Sequence, residues 1–165
     1  MSGHFAEADT AWNVAAAVVD PEVPVLTIDD LGVLREVTVT DDGVHVVVTP
    51  TYSGCPAMET IRADVVQALT AAGFGPVTVR LALSPAWTTD WISDKGKAAL
   101  AEFGIAPPTG AAAVASGPVR IRMAVKCPNC QSLDTRELSH FGSTSCKALY
   151  ECRACGEPFD YFKVL

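Results

Sequence analysis

Cys127-Pro-Asn-Cys-Gln-Ser-Leu-Asp-Thr-Arg-Glu-Leu-Ser-His-Phe-Gly-Ser-Thr-Ser-Cys-Lys-Ala-Leu-Tyr-Glu-Cys-Arg-Ala-Cys155 is the stretch from which the rest of the chain can be read. It opens and closes on a Cys-x-x-Cys pair. Each pair sets two sulfurs on one tight turn, at a spacing that lets both reach a single ion about 2.3 Å away. Cys127, Cys130, Cys152 and Cys155 are therefore the candidate metal ligands. The intervening residues 131–151 are slightly more than such a pattern usually has, and a longer hairpin arm absorbs the difference. Strand character on either side of Phe141-Gly-Ser-Thr-Ser145, in Thr135–His140 and Cys146–Glu151, predicts that arm, and Phe159–Val164 supplies a further strand.

This is a zinc-ribbon layout. A module this small buries too little apolar surface to offset its own ordering entropy. Metal ligation supplies the missing stability, at an apparent strength on the order of 10 kcal/mol or more for closed zinc sites. Four sulfurs leave no open coordination position, so the expected role is structural, with zinc as the ion. Iron in the same cage is the rival, because tetrahedral sulfur suits both metals. Cys146 and His140 lie between the pairs. Cys146 reads as a small buried hydrophobe and His140 as an exposed or hydrogen-bonded arm residue, with substitute ligation the alternative for both. The aromatic tail Phe159, Tyr161 and Phe162 either packs over the metal knuckles or faces a partner.

Working outward towards the N-terminus, Ala106–Pro118 collapses into Ala, Gly, Pro, Ser and Thr and reads as a linker. The expected division is a domain over 1–105, a linker over 106–118 and the ribbon over 119–165, entered by a strand at Val119–Val125. In the first domain a helix is predicted over Thr10–Val18, capped by Asp9 or Thr10 and ended by Asp20-Pro21. Val33–Thr40 and Val44–Thr49, joined by Asp41-Asp-Gly43, predict a β-hairpin. Met58, Ile61, Val65 and Leu69 fall on one face of a second helix that ends near Gly73 and Gly75. Val77–Leu83 alternates as a strand with one buried face. A last helix is predicted over Asp90–Phe103, stopped by Gly104, after a loop carrying Trp87 and Trp91. The expected fold class is α+β: helices packed on a three- or four-stranded sheet, followed by a small β ribbon.

Composition narrows the function. A net charge of −7 without a basic stripe disfavours nucleic acid as a partner. No stretch approaches the roughly 20 apolar residues of a membrane span, and no leader pattern opens the chain, so the expected location is the cytoplasm, where thiols stay reduced. The histidines His4, His45 and His140 are scattered, and neither a Ser-His-Asp set nor a Gly-rich phosphate loop is apparent, so no catalytic residue is assigned.

Cys55 stands apart. With Pro56 as the first helical residue, Cys55 takes the N-cap, where unsatisfied amides and the helix dipole stabilise a thiolate. Thr49, Thr51 and Ser53 line its approach with hydroxyls, and Asp20 and Glu22 are candidate oxygen ligands beside it. A buried inert thiol, and a solvated acidic loop over Asp20, Glu22, Asp29 and Asp30, are the competing readings.

Asp20-Pro-Glu-Val-Pro24, Thr27-Ile-Asp-Asp-Leu-Gly32 and Thr49-Pro-Thr-Tyr-Ser-Gly-Cys-Pro-Ala-Met58 resemble the motifs of the metal–sulfur cluster assembly domain family, small α/β proteins associated with iron–sulfur maturation. Pro85-Ala-Trp-Thr-Thr-Asp-Trp-Ile92, Phe141-Gly-Ser-Thr-Ser-Cys-Lys-Ala148 and Glu157-Pro-Phe-Asp160 narrow the resemblance to ribbon-bearing members encoded with a phenylacetyl-CoA epoxidase. The resemblance implies an accessory protein of aerobic phenylacetate breakdown, without catalytic activity of its own. It would deliver iron or an iron–sulfur cluster to the oxygenase and reductase components, with Cys55 as the labile ligand. One cysteine cannot hold a cluster alone, which implies a homodimer or a thiol from elsewhere. The alternative is a scaffold docking through the ribbon and the Trp87/Trp91 loop. A thiol–disulfide enzyme is a weaker reading, because no Cys-x-x-Cys lies near Cys55.

Overall fold

A computed structural model of the chain describes residues 2–109 and 124–165. Its contacts divide it into two compact units, Met1–Trp87 and Thr88–Leu165.

In the first unit, α1 spans Ser2–Ala16 rather than Thr10–Val18. Thr10 does not cap it. Its hydroxyl donates to the Ala6 carbonyl one turn back, at 2.7 Å, as a threonine inside a helix does. Ala11 and Ala15 are fully buried on its inner face. The chain then closes a loop on itself: Asp20 N–H donates to Leu26 O and Ile28 N–H to Val18 O, at 2.9 and 2.8 Å. This loop is irregular yet not peripheral, for Val23, Leu26, Ile28 and Leu31 all lie in the core.

The hairpin forms as expected from β1 (Leu34–Thr40) and β2 (Gly43–Val48), with Thr40 opposite Gly43 and Asp41-Asp42 at the tip. Gly43 has φ +133, and a Cβ there would run into the Pro76 carbonyl oxygen, which accepts the Val44 amide at 2.8 Å. Only glycine satisfies both demands. α2 (Ala57–Ala71) carries β2 over to β3 (Val77–Leu81), which lies parallel to β2 in the sheet order β1-β2-β3. Met58, Ile61, Val65 and Leu69 are buried as the periodicity predicts. Full burial of each is worth about 1.5–3 kcal/mol relative to exposure. Gly73 at φ +91 ends the helix. β3 is shorter and less covered than expected: it stops at Leu81, only Val79 is buried, and Leu81 and Leu83 are exposed. The reason is its place at the sheet edge, where no further strand flanks it among the described residues.

In the second unit a short 3-10 turn at Thr89–Trp91 precedes α3 (Asp94–Glu102), so the last helix starts later than Asp90. The Ser93 hydroxyl explains the shift by accepting the Gly96 amide at 2.9 Å, an N-cap bond. Gly104, at φ +86, ends the helix as predicted. β4 (Ile105–Ala106), β5 (Thr135–Ser139), β6 (Lys147–Cys152) and β7 (Pro158–Phe162) form a four-stranded sheet in the order β4-β7-β6-β5. Ala106 is therefore not linker. It pairs with Tyr161 and is buried. Residues 88–105 thus cluster with the ribbon, whereas composition alone put them with the first domain. Residues 110–118 of the expected linker and 119–123 of the expected entering strand lie outside the described residues. Ala124 and Val125 are not in a strand. No helix among the described residues is long and apolar enough to cross a membrane.

Candidate metal centre and thiol site

The two Cys-x-x-Cys turns have the same backbone design. Cys127 N–H donates to Ser132 O and its carbonyl accepts the Gln131 amide, at 2.9 and 3.0 Å. Cys152 N–H donates to Glu157 O and its carbonyl accepts the Gly156 amide, at 3.0 and 2.8 Å. In each knuckle the residue after the second cysteine has positive φ, +65° at Gln131 and +77° at Gly156. Gln131 adopts this left-handed conformation despite its Cβ. Sequence reasoning had no signal for it beyond the Cys spacing itself.

β5, β6 and β7 bring the knuckles together, so that the four sulfurs all lie within 4.8 Å of one another. Cys127 Sγ is 3.9 Å from Cys155 Sγ, and Cys130 Sγ is 3.5 Å from Cys152 Sγ. A tetrahedron with metal–sulfur bonds of about 2.3 Å has edges of about 3.8 Å, so these spacings fit one thiolate-bound ion, and all six cysteines are free thiols. Cys127 and Cys152 are fully buried, while Cys130 and Cys155 reach the surface. Backbone amides of Cys155 and Ala154 pointing at the Cys152 sulfur lower its pKa to about 7, against the effect of burial. Cys155 keeps an amide from Glu157, yet local desolvation and its three neighbouring thiols push it up to about 12. Crowded sulfurs that resist successive deprotonation are the setting in which one divalent cation displaces the protons.

The aromatic tail packs inward. Phe159 and Tyr161 share a core with Ala106, Val125, Cys127, Ala148 and Cys152, and Tyr150 stacks edge-on to Tyr161 at 5.3 Å. Cys146 is buried with its sulfur 3.0 Å from the Thr144 hydroxyl, and His140 is exposed beside Glu137. Neither joins the four sulfurs, which are the only ligand group of this kind among the described residues.

Cys55 lies elsewhere, half-buried in the loop between β2 and α2. It is not the N-cap: Pro56 takes that position, with φ −68° and ψ −22°, and makes no side-chain cap bond. Its thiol is raised, not lowered. Burial pushes it up and the nearby Glu22 and Asp20 carboxylates add to this, outweighing the Ala57 amide and a hydrogen bond from Tyr52. Tyr52 was not singled out by sequence. Its signal is its place three residues before Cys55, whose amide donates to the Tyr52 carbonyl at 3.2 Å. Thr49 is buried, Thr51 half-buried and Ser53 exposed in the same loop.

The acidic stretch is not a solvated loop throughout. Asp20 is 5% exposed, and its Oδ1 accepts the amides of Glu22 and Val23, both at 2.8 Å. Asp30 is buried and bonds the Thr27 hydroxyl. Asp20 and Glu22 reach Cys55 electrostatically, but they do not close a ligand cage with it in the structure. Trp87, expected in a docking loop, is buried with its indole N–H donating to Leu31 O at 2.9 Å, so it is unavailable to a partner.

Comparison with known proteins matches residues 9–81 to the iron–sulfur cluster assembly protein family and residues 112–163 to the PaaD zinc beta ribbon domain. An Escherichia coli (strain K12) protein named, provisionally, as a subunit of 1,2-phenylacetyl-CoA epoxidase is 49% identical over 93% of this chain and 91% of its own length. An Fe-S protein maturation auxiliary factor of Porphyromonas gingivalis (strain ATCC BAA-308 / W83) is 38% identical over 47% of this chain and 75% of its own. The crystal structure of a domain of unknown function, DUF59, from Bacillus anthracis superposes with a TM-score of 0.56 at 26% identity, covering 60% of this chain and 95% of that one. The chain belongs to the PaaD family of phenylacetyl-CoA epoxidase subunits, in which an iron–sulfur cluster assembly domain is joined to a zinc ribbon.

Proposed function

We propose that this protein is a cytoplasmic accessory factor, without catalytic activity of its own, that helps load iron or an iron–sulfur cluster into the oxygenase or reductase component of a phenylacetyl-CoA epoxidase. The observation that carries this is a half-buried thiol, Cys55, held beside Glu22, Asp20 and Tyr52 in the part of the chain that matches the cluster assembly family. The neighbouring carboxylates disfavour a bare thiolate but favour an arriving cation, so Cys55 is a ligand that binds a metal cargo and releases it. The cargo needs further sulfur, from a second copy of the chain, a small thiol or the client. The ribbon holds one structural zinc through Cys127, Cys130, Cys152 and Cys155, which keeps the surface of the second unit in shape.

A scaffold role is the second reading. It draws on Leu133, Leu138 and Phe141, which the ribbon exposes at 58%, 47% and 64%. Anaerobically purified wild-type protein and Cys55→Ser, assayed for zinc, iron and sulfide, separate the two, together with the cofactor content of epoxidase matured alongside each. Loading predicts unchanged zinc, with iron lost from the variant and from its client. An epoxidase that is fully metallated beside Cys55→Ser would sink the loading role and leave the scaffold.

A further inference from the structure

We propose that the free edge of β3 is where two copies of this chain join, by antiparallel pairing of β3 with its counterpart. β3 bonds β2 on one side, and no strand flanks its other side among the described residues. An open groove of about 910 Å³ runs along that edge beneath α2, with Val77 and Val79 on its floor and Ala63 and Val66 on its wall. Leu81 shares the face of Val77 and Val79, and it and Val66 are 39% and 37% exposed. Proteins that keep an edge strand unpaired interrupt it with lysine, proline or a bulge. Val77-Thr-Val-Arg-Leu81 contains none of these, Arg80 is its single charge, and its register against β2 has no shift.

Charge and register favour a second copy as the occupant. A two-fold axis requires the edge to complement itself. Centred on Val79, the pairing sets Val79 against its own counterpart, Val77 against Leu81 of the second copy and Thr78 against Arg80. All three matches avoid like charges, whereas a register centred on Arg80 would oppose two guanidinium groups and is penalised. The charged residues of the groove, Glu59 and Arg62, neutralise each other at 3.4 Å. Both lie in the N-terminal half of α2, so the axis sends the two copies of each towards opposite ends of the interface. An edge whose single charge, Arg80, meets Thr78 of the second copy complements itself without calling for a charged partner.

One consequence rests on the reading of Cys55 as a cargo ligand. β2 leaves the sheet at Val48, opposite Leu81, and leads through Cys55 into α2. Antiparallel pairing therefore puts the two Cys55 thiols at opposite ends of the joined sheet, and the second sulfur comes from a small thiol or the client, not from the second copy.

Sedimentation velocity of the full-length protein with its zinc tests the interface. Wild type is expected as a dimer of 17.3 kDa chains. Leu81→Arg and Val66→Glu, both at partly exposed positions, are expected as monomers with unchanged zinc content and circular dichroism. Should either variant lose its fold, mixed Thr78→Cys and Arg80→Cys proteins are expected to form a disulfide-linked pair under mild oxidation, and Leu83→Cys with Arg80→Cys not to. A monomeric wild type, a dimer that survives in a folded Leu81→Arg, or cross-linking indifferent to register would overturn the proposal. None of these readouts depends on cargo loading, so failure here leaves the role of Cys55 standing.

Discussion

Replacing Asp20 separates a structural carboxylate from a metal ligand. Its Oδ1 accepts two backbone amides, from Glu22 and Val23, in a site only 5% exposed. Hydrogen bonds to a charged group contribute about 1.5–3 kcal/mol each, and the turn relaxes only in part when they are lost. Asp20→Ala should therefore cost about 3–5 kcal/mol, a large share of the roughly 5–15 kcal/mol that holds a domain folded. Asp20→Asn keeps an oxygen in place and should cost about 1–2 kcal/mol. Urea unfolding followed by tryptophan fluorescence reads the difference: at an m-value of about 2 kcal/mol/M, the alanine variant shifts its midpoint down by about 2 M. A ligand role alone predicts the reverse pattern, an unchanged midpoint with lost iron. An alanine variant within about 1 kcal/mol of wild type, or an asparagine variant as damaged as alanine, would refute the reasoning.

Gly43→Ala combines left-handed backbone strain with displacement of the Pro76 carbonyl that holds the Val44 amide, and should cost about 2–4 kcal/mol by thermal or urea unfolding. Trp87→Phe keeps most of the packing but leaves Leu31 O without its indole donor, a loss of about 1–2 kcal/mol in the same assay. Gln131→Gly relieves the left-handed residue of the first knuckle and should raise the stability of the zinc-loaded ribbon by about 0.5 kcal/mol, net of the lost Gln131 bond to Pro128 O. Glu22→Gln removes a charge that raises the Cys55 pKa, so more thiolate is present at neutral pH and iodoacetamide alkylation of Cys55 should be faster. An unchanged rate would mean that Glu22 does not act on the thiol.

What could be read from the sequence followed short-range rules. The hairpin was visible because Asp-Gly sits between two β-rich runs, and α2 because Met58, Ile61, Val65 and Leu69 repeat at helical spacing. The four ligand cysteines were visible because two thiolates on one turn need that separation. What failed was set by distant partners. Ala106 looked like linker because its strand partner, Tyr161, is far along the chain. Leu81 and Leu83 alternated like buried residues, yet among the described residues β3 has a neighbouring strand on one side only. Asp20 looked solvated because acidic residues usually are, and no local pattern showed that it is buried in a loop whose Val23, Leu26 and Ile28 lie in the core. The thiolate reading of Cys55, one of the two left open, failed for the same reason: helix-end amides are a local effect, whereas burial and Glu22 come from the tertiary fold.

Amide hydrogen exchange of the full-length protein, before and after metal removal by a strong chelator, tests most directly whether one ion joins the two knuckles and holds the ribbon. If it does, the amides of β6 and β7, such as Leu149 and Tyr161, lose their protection on chelation, while those of β1 and β2 keep theirs, and one zinc per chain restores the original pattern. Unchanged protection across Lys147–Phe162 in metal-free protein would contradict it.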